Sequence, residues 1–192
     1  NKRRLVTGHD DQPLTSLGIQ QAEDLGKKLK GIHFNAIFSS DLLRARRTAE
    51  IIRIGRKVEI STSKLLRERT LGRFDGMLRA DYEKEVGHLL KRMEEMPKEE
   101  QWNFKIDEGA ESQAELNLRF VAQLKKIAIS YHGKTVLVVT HGGCIRNFLI
   151  HAKYMAYNEL LNGAIQTGGY VKILSDGTDF QVQKVEGLKR GQ

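Results

Sequence analysis

Apolar positions along this 192-residue chain alternate between two spacings. From residue 15 to residue 30 they recur at helical intervals, through Leu17 or Ile19, Ala22, Leu25 and Leu29. Thr15 offers a capping oxygen at one end and Gly31 a stop at the other. Ala36-Ile37-Phe38 predicts a short buried strand. Ser39-Ser40-Asp41 supplies N-cap oxygens for a helix running to about Arg53. Val58-Glu59-Ile60 predicts a weak strand, and the polar, glycine-bearing stretch 61–78 a loop. Residues 80–95 read as a strongly charged helix, and 97–110 as irregular, broken by Pro97 and Gly109.

Ser112-Gln113-Ala114-Glu115 is a capping-box pattern, opening a helix with Leu116, Phe120, Leu124 and Ile127 on one stripe. The run 135–140, Thr-Val-Leu-Val-Val-Thr, is the best strand in the chain and apolar on both faces, as a central parallel strand is. Gly142-Gly143 turns it into a helix carrying Ile145, Phe148 and Leu149. Two closing strands, near 169–174 and 179–185, flank the turn residues Ser175-Asp176-Gly177-Thr178 and predict a hairpin. Strands alternating with helices predict an α/β fold, a sheet covered on both faces, in one domain over 1–192.

Composition narrows the function classes. A 40% apolar, 29% charged chain can build a core, and no apolar stretch approaches the roughly 20 residues that span a bilayer. No membrane association is expected. The single cysteine permits no intrachain disulfide and points to a reducing, cytoplasmic compartment. The net charge of +8 favours anionic partners. Its basic groups are short, at 2–4, 44–47, 53–57 and 67–73, with no aromatic residues interleaved, so nucleic acid is not expected. The same groups also read as solvated helix faces. The six histidines are scattered without HxH or HxxxH spacing, so no metal and no cofactor is expected.

Ligands of open α/β sheets bind at the carboxyl ends of the strands. Arg44 falls in the first helical turn after the 36–38 strand, where guanidinium and helix amides both favour a phosphate; alone it is equally a surface arginine. His141 ends the 135–140 strand, with glycines after it that admit a ligand to the backbone; alone it is equally a buried core histidine. Glu68 is a carboxylate among arginines, a candidate proton donor or a surface ion pair. Gly8 suits an amide contact, and His9 reads as exposed. Cys144 reads as a buried packer and not a nucleophile. Tyr82, Trp102 and Phe104 read either as a pocket wall or as core. Asp107, Glu108 and Glu111 read as dipole partners of the helix that follows.

Taken in order, these segments resemble the histidine phosphatase superfamily, which includes cofactor-dependent phosphoglycerate mutases and the bisphosphatase domain acting on fructose 2,6-bisphosphate. The matching stretches are Thr-Gly-x-x-Asp-x-Pro-Leu-Thr from Thr7, Ser-Ser-Asp-Leu-x-Arg-Ala from Ser39, Leu-x-Glu-x-x-x-Gly-x-x-Asp-Gly from Leu66, Glu111-Ser112, and Val-Thr-His-Gly-Gly from Val139. The resemblance implies a three-layer α/β/α sandwich with a mostly parallel central sheet. It implies a phosphomonoester hydrolase acting through a phosphohistidine on a small phosphorylated metabolite. Glu68, His141 and Arg44 would be catalytic, and Asn1, Thr7, Gly8, Arg44, His141 and Gly142 would bind phosphate, with His141 cationic beside it. Residues 77–110 would form a lid and specificity insertion, and the assembly could be a homodimer.

One departure is large. The family opens with a strand ending in Arg-His-Gly-Glu-Thr, whose His becomes phosphorylated, and no such motif occurs here. Asn1 takes the place of a family Asn that follows it, so the resemblance implies a further strand ahead of Asn1 in the native chain. A chain truly without it would be a non-catalytic binder of phosphorylated ligands. Phosphoglycerate mutase-type transfer is the other alternative. Mutases of the family tend to carry a longer insertion than the 73 positions between Glu68 and His141, which favours a hydrolase.

Overall fold

The computed structural model describes residues 4–156, 159–160 and 163–189; Asn1 lies outside them. Three parallel strands, β1 (Ala36–Ser40), β2 (Ile60–Ser63) and β3 (Val136–Val139), pair in the order β2-β1-β3, with Ile37 opposite Ile60 and Leu137. Successive side chains along a strand point to opposite faces. Ile37, Leu137 and Val139 accordingly enter one core, with Leu29, Phe34, Ala45, Ala49 and Ile52 from helices α1 (Ser16–Lys28) and α2 (Leu43–Arg53) and their flanks. Phe38 and Val138 enter the other, built by Leu116, Phe120 and Leu124 of α5 (Gln113–Ser130) and Cys144, Phe148 and Leu149 of α6 (Gly142–His151). The α/β/α layering is therefore the expected one.

The hairpin is present as a separate antiparallel sheet, β4 (Ile165–Ser175) with β5 (Phe180–Leu188). Its turn is closed by Asp176, whose Oδ1 accepts from the amides of Thr178 and Asp179. Val171, Ile173, Phe180 and Val182 pack against the α5–α6 core. A third cluster joins Val6 and Phe74 to Tyr82 and Val86 of α3 (Arg79–Glu95), with Ile106, Ala110 and Phe104. Tyr82 and Phe104 are thus core residues. Trp102 belongs to a short helix, α4 (Lys98–Asn103), where irregular chain was expected.

Several expectations change in detail. The strand expected at 58–60 is at 60–63, and Leu17, offered as part of the buried stripe of α1, is 66% exposed. Strand β3 was expected to be buried on both faces, yet Val136, Leu137 and Val138 are only half-buried. The reason is its place in the sheet: among the described residues it pairs with β1 alone and forms an edge.

The start of α2 differs most. Ser39 and Ser40 lie in β1, the N-cap is Leu42, and no side chain of the 39–41 segment caps the helix through its first turn. Ser40 Oγ accepts from the Leu42 amide at 3.3 Å, and Asp41 is drawn away into a two-point pair with Arg67 (2.6 and 2.7 Å). The Leu43 amide instead donates to Asp11 Oδ1 at 2.6 Å, from a loop 32 residues earlier. The start of the helix is still served by a carboxylate, as its orphan amides and dipole favour, but by a distant one. By contrast α1 and α5 are capped as expected, by Thr15 accepting from Gly18 and by the reciprocal Ser112–Glu115 box. Asp11→Ala should lower the stability measured by urea unfolding by about 1 kcal/mol, whereas the exposed Glu23→Ala on α1 should leave the midpoint nearly unchanged.

Candidate active site

The carboxyl ends of the three parallel strands deliver three groups to one end of the sheet. After β1 comes Arg44; after β2 and a single 3-10 turn (Lys64–Leu66) comes Glu68; after β3 comes His141, which caps α6. Parallel alignment puts all three exits on the same side, so residues 24 and 73 positions apart in the chain converge.

Glu68 is fixed by two backbone amides. Gly143 donates to Oε2 and Arg69 to Oε1, each at 2.9 Å. The Gly143 amide belongs to the first turn of α6, where helix amides lack internal partners and attract negative charge. A Cβ at Gly143 would lie 2.3 Å from Glu68 Oε1, so this glycine permits the carboxylate's approach.

Arg44 is held by carbonyls and not by a carboxylate. Its Nη1 donates to Asp10 O (2.9 Å) and its Nη2 to Gly8 O (2.8 Å). Gly8 was expected to offer its amide; the contact observed is through its carbonyl. Its φ of +21° and the Asp75 carboxylate behind it, 1.7 Å from where a Cβ would sit, exclude a side chain. Asp75 in turn accepts from the His9 amide, Thr70 Oγ1 and the Leu71 amide, tying the loop at 8–10 to the one at 68–76. Burial lowers the pKa of Arg44, against the raising charges of Glu68, Asp11, Asp10 and Asp75.

His141 is 7% exposed, and its Nε2 is buried without a hydrogen-bond partner among the described residues. Burial first, then the positive charges of Arg44 and Arg119, press its pKa well below 6.5. The fold by itself therefore disfavours the charged form of the ring. Its orphaned Nε2 is a polar atom with unused hydrogen-bonding capacity, a cost that buried groups rarely carry outside functional sites. Gly142 is the first residue of α6, so its amide has no partner inside the helix. Thr7 is half-buried on the loop before Gly8, and nothing in the structure assigns its hydroxyl a role.

Two features escaped the sequence. His9, expected to be exposed, is half-buried with Nε2 2.8 Å from the carbonyl oxygen of Glu68. Glu111 and Arg119 form a two-point ion pair (2.6 and 2.7 Å) behind the Glu68 loop. Only the Glu111-Ser112 stretch hinted at this, since Arg119 occupies an ordinary helix position. Cys144 is fully buried, donates its thiol to Arg67 O and has its pKa pushed up by burial, as befits a packer. Surface hollows also lie elsewhere: about 490 Å³ beside Trp102 and Ile150, and about 350 Å³ between Lys30–Phe34 and Gly55–Val58, the latter at the opposite ends of the strands. The site is placed by chemistry and convergence, not by the size of a cavity. Among the described residues no cluster of His, Cys, Asp or Glu could hold a metal, and no helix is long and apolar enough to cross a membrane.

The lowered pKa of His141 has a consequence for stability. Its folded pKa is depressed, so the unfolded chain binds the proton more readily, and stability falls as pH drops below about 6.5. The stability difference between the wild type and His141→Gln should be constant above that pH. Below it, the wild type should lose up to about 1.4 kcal/mol per pH unit relative to the variant, read by urea midpoints. Gly143→Ala should displace the Glu68 carboxylate while costing little stability, because the clash is with the end of a flexible side chain. Loss of the Gly143–Glu68 hydrogen bond would show in the amide chemical shift of residue 143.

Residues 1–186 match the family model described as histidine phosphatase superfamily (branch 1). The chain is 32% identical over 188 residues to phosphoglycerate mutase-like protein 4 of Arabidopsis thaliana, covering 95% of this chain and 78% of that protein. It superposes on Bacillus stearothermophilus YhfR with a TM-score of 0.83 at 29% identity, covering 98% of this chain and 90% of the other. It shares its fold with a mycobacterial glucosyl-3-phosphoglycerate phosphatase, at a TM-score of 0.80, 19% identity and coverages of 98% and 93%. With the ordered motifs, the convergent Arg44, Glu68 and His141, and a match over nearly the whole sequence, the chain belongs to the histidine phosphatase superfamily, a family of enzymes.

Proposed function

We propose that this protein is a phosphomonoester hydrolase acting on a small phosphorylated metabolite through a phosphohistidine. The observation that carries the reading is the pairing of a carbonyl-held guanidinium, Arg44, with the Nε2 of His141, unpartnered among the described residues, at the carboxyl end of the sheet. Arg44 has a charge that no carboxylate contacts among the described residues and His141 has hydrogen-bonding capacity to spare, an arrangement suited to stabilising charge on a transferring phosphoryl group.

In this reading Arg44, His141 and the amides of Gly142 and Gly8 grip the phosphoryl oxygens. An imidazole nitrogen attacks phosphorus, the P–O ester bond breaks, and Glu68 gives its proton to the leaving oxygen. Glu68 then takes a proton from water, the water oxygen attacks phosphorus, and the P–N bond breaks to release phosphate. The attacking imidazole is the one the family carries on its Arg-His-Gly strand. Asn1 and Thr7 join the phosphate-binding set as the resemblance implies. Residues 77–110, through α3 and α4, act as the specificity region.

A mutase reading is favoured by the names of the relatives, the Arabidopsis protein and bacterial phosphoglycerate mutases alike. The short interval between Glu68 and His141 favours the hydrolase. Phosphate release from a panel of phosphoglycerates, sugar phosphates and p-nitrophenyl phosphate, assayed on the full native chain, separates the two. Net release supports hydrolysis; exchange between phosphoglycerates without net release supports transfer.

For the hydrolase, Arg44→Ala and His141→Ala should each lower kcat/KM by about 10²–10³-fold. Glu68→Gln should slow alkyl phosphates by about 10²–10⁴-fold and p-nitrophenyl phosphate, with its better leaving group, much less. Undiminished turnover in the Arg44 and His141 variants would overturn the site.

A further inference from the structure

Resting on the reading of Glu68 as the proton donor, we propose that Arg119, anchored by Glu111, is a positioning residue that sets where the Glu68 carboxylate stands. A guanidinium has five N–H donors, and all five of Arg119 are used. Nε and Nη2 take the two oxygens of Glu111; Nη1 donates to the carbonyls of Leu65 (2.9 Å) and Arg67 (2.8 Å), and Nη2 also to that of Glu68 (2.9 Å). Glu111 completes the clamp through Thr70, whose amide donates to Oε2 (3.2 Å) and whose carbonyl accepts from the Glu111 amide (3.0 Å). Residues on both sides of Glu68 are thereby fixed to the start of α5. The segment from Arg67 to Thr70 has no helix or strand of its own to fix it.

The pair is not a surface ornament. The two side chains are 16% and 20% exposed. Burial raises the pKa of Glu111, but the hydrogen bonds and charge of Arg119 outweigh this and leave it below its ordinary value. Arg119 bonds the backbone of Glu68, while the carboxylate rests on the amides of Arg69 and Gly143. The clamp therefore acts through the main chain. A proton donor must stand within hydrogen-bond reach of the leaving oxygen, and a 1 Å misplacement can cost about 10²-fold. Lysine could not substitute: a single ammonium cannot reach three carbonyls and both carboxylate oxygens.

The test uses Arg119→Lys and Glu111→Gln, which keep charge or shape. Native-state hydrogen exchange should show the Gly143 amide, which Arg119 does not touch, exchanging about tenfold faster, with β1 amides unchanged. On the full native chain, kcat for an alkyl phosphate should fall about 10–100-fold with KM unchanged, and p-nitrophenyl phosphate should be affected less. Unchanged exchange at Gly143, or equal acceleration throughout the sheet, would overturn the clamp. If Glu68→Gln itself showed no leaving-group dependence while Arg119→Lys still freed Gly143, the proton-donor reading would fall and the clamp would stand as structure only.

Discussion

Backbone carbonyls and amides that leave water must find partners, and between residues 65 and 70 the one regular element is the end of a 3-10 turn at Leu66. The partners come from four segments of the chain. Arg119 and Glu111 hold the segment from α5; Thr140 Oγ1, just past β3, donates to Leu66 O; Cys144 of α6 donates to Arg67 O; and His9 stands against Glu68 O. The position of the one acidic group among the candidate catalytic residues is thus a product of side chains scattered over more than 130 positions of sequence. Disturbing any one of these elements disturbs Glu68, so the stability of the core and the competence of the site are coupled.

The sheet supplies the frame on which this works. Parallel pairing of β1 with both β2 and β3 aligns the three strand ends, and the alternation of Ile37 and Phe38, or of Val138 and Val139, commits one helix pair to each face. The interior of that frame is apolar and close to fully buried at Ile37, Ile52, Leu116 and Leu149. The polar groups gather at its rim, where hydrogen bonds to loops can satisfy them.

What could be read in the chain was what neighbours in sequence determine. The Ser112–Glu115 box, the Thr15 cap and the Asp176 turn each involve residues within a few positions, and all stand as expected. The two-sided apolar run at 136–139 announced a strand, but its half-burial depends on which strands flank it, and no local pattern reports that. The same limit hid the role of Asp11 at the start of α2: Ser39, Ser40 and Asp41 were nearer and chemically suited, but β1 and Arg67 claimed them. Of the site, Arg44, Glu68 and His141 were legible because ordered motifs carried them. Arg119 was not, since nothing about one arginine in an amphipathic helix marks its five acceptors.

The arginines around the site divide by what neutralises them, and the division explains where an anion would go. Arg67 faces Asp41 and Arg119 faces Glu111, each through two hydrogen bonds, so their charges are largely spent inside the protein. Arg44 is bound only to the carbonyls of Gly8 and Asp10, which orient it without cancelling it, and its nearest acids act through the field and not by contact. Its charge is one of the causes that lower the pKa of His141. A phosphoryl dianion placed between them would reverse that balance: it would draw on the free charge of Arg44 and raise the proton affinity of the histidine beside it. A charged His141, which the family resemblance implies beside the phosphate, would thus be favoured by the ligand's own charge and disfavoured by the burial of the ring.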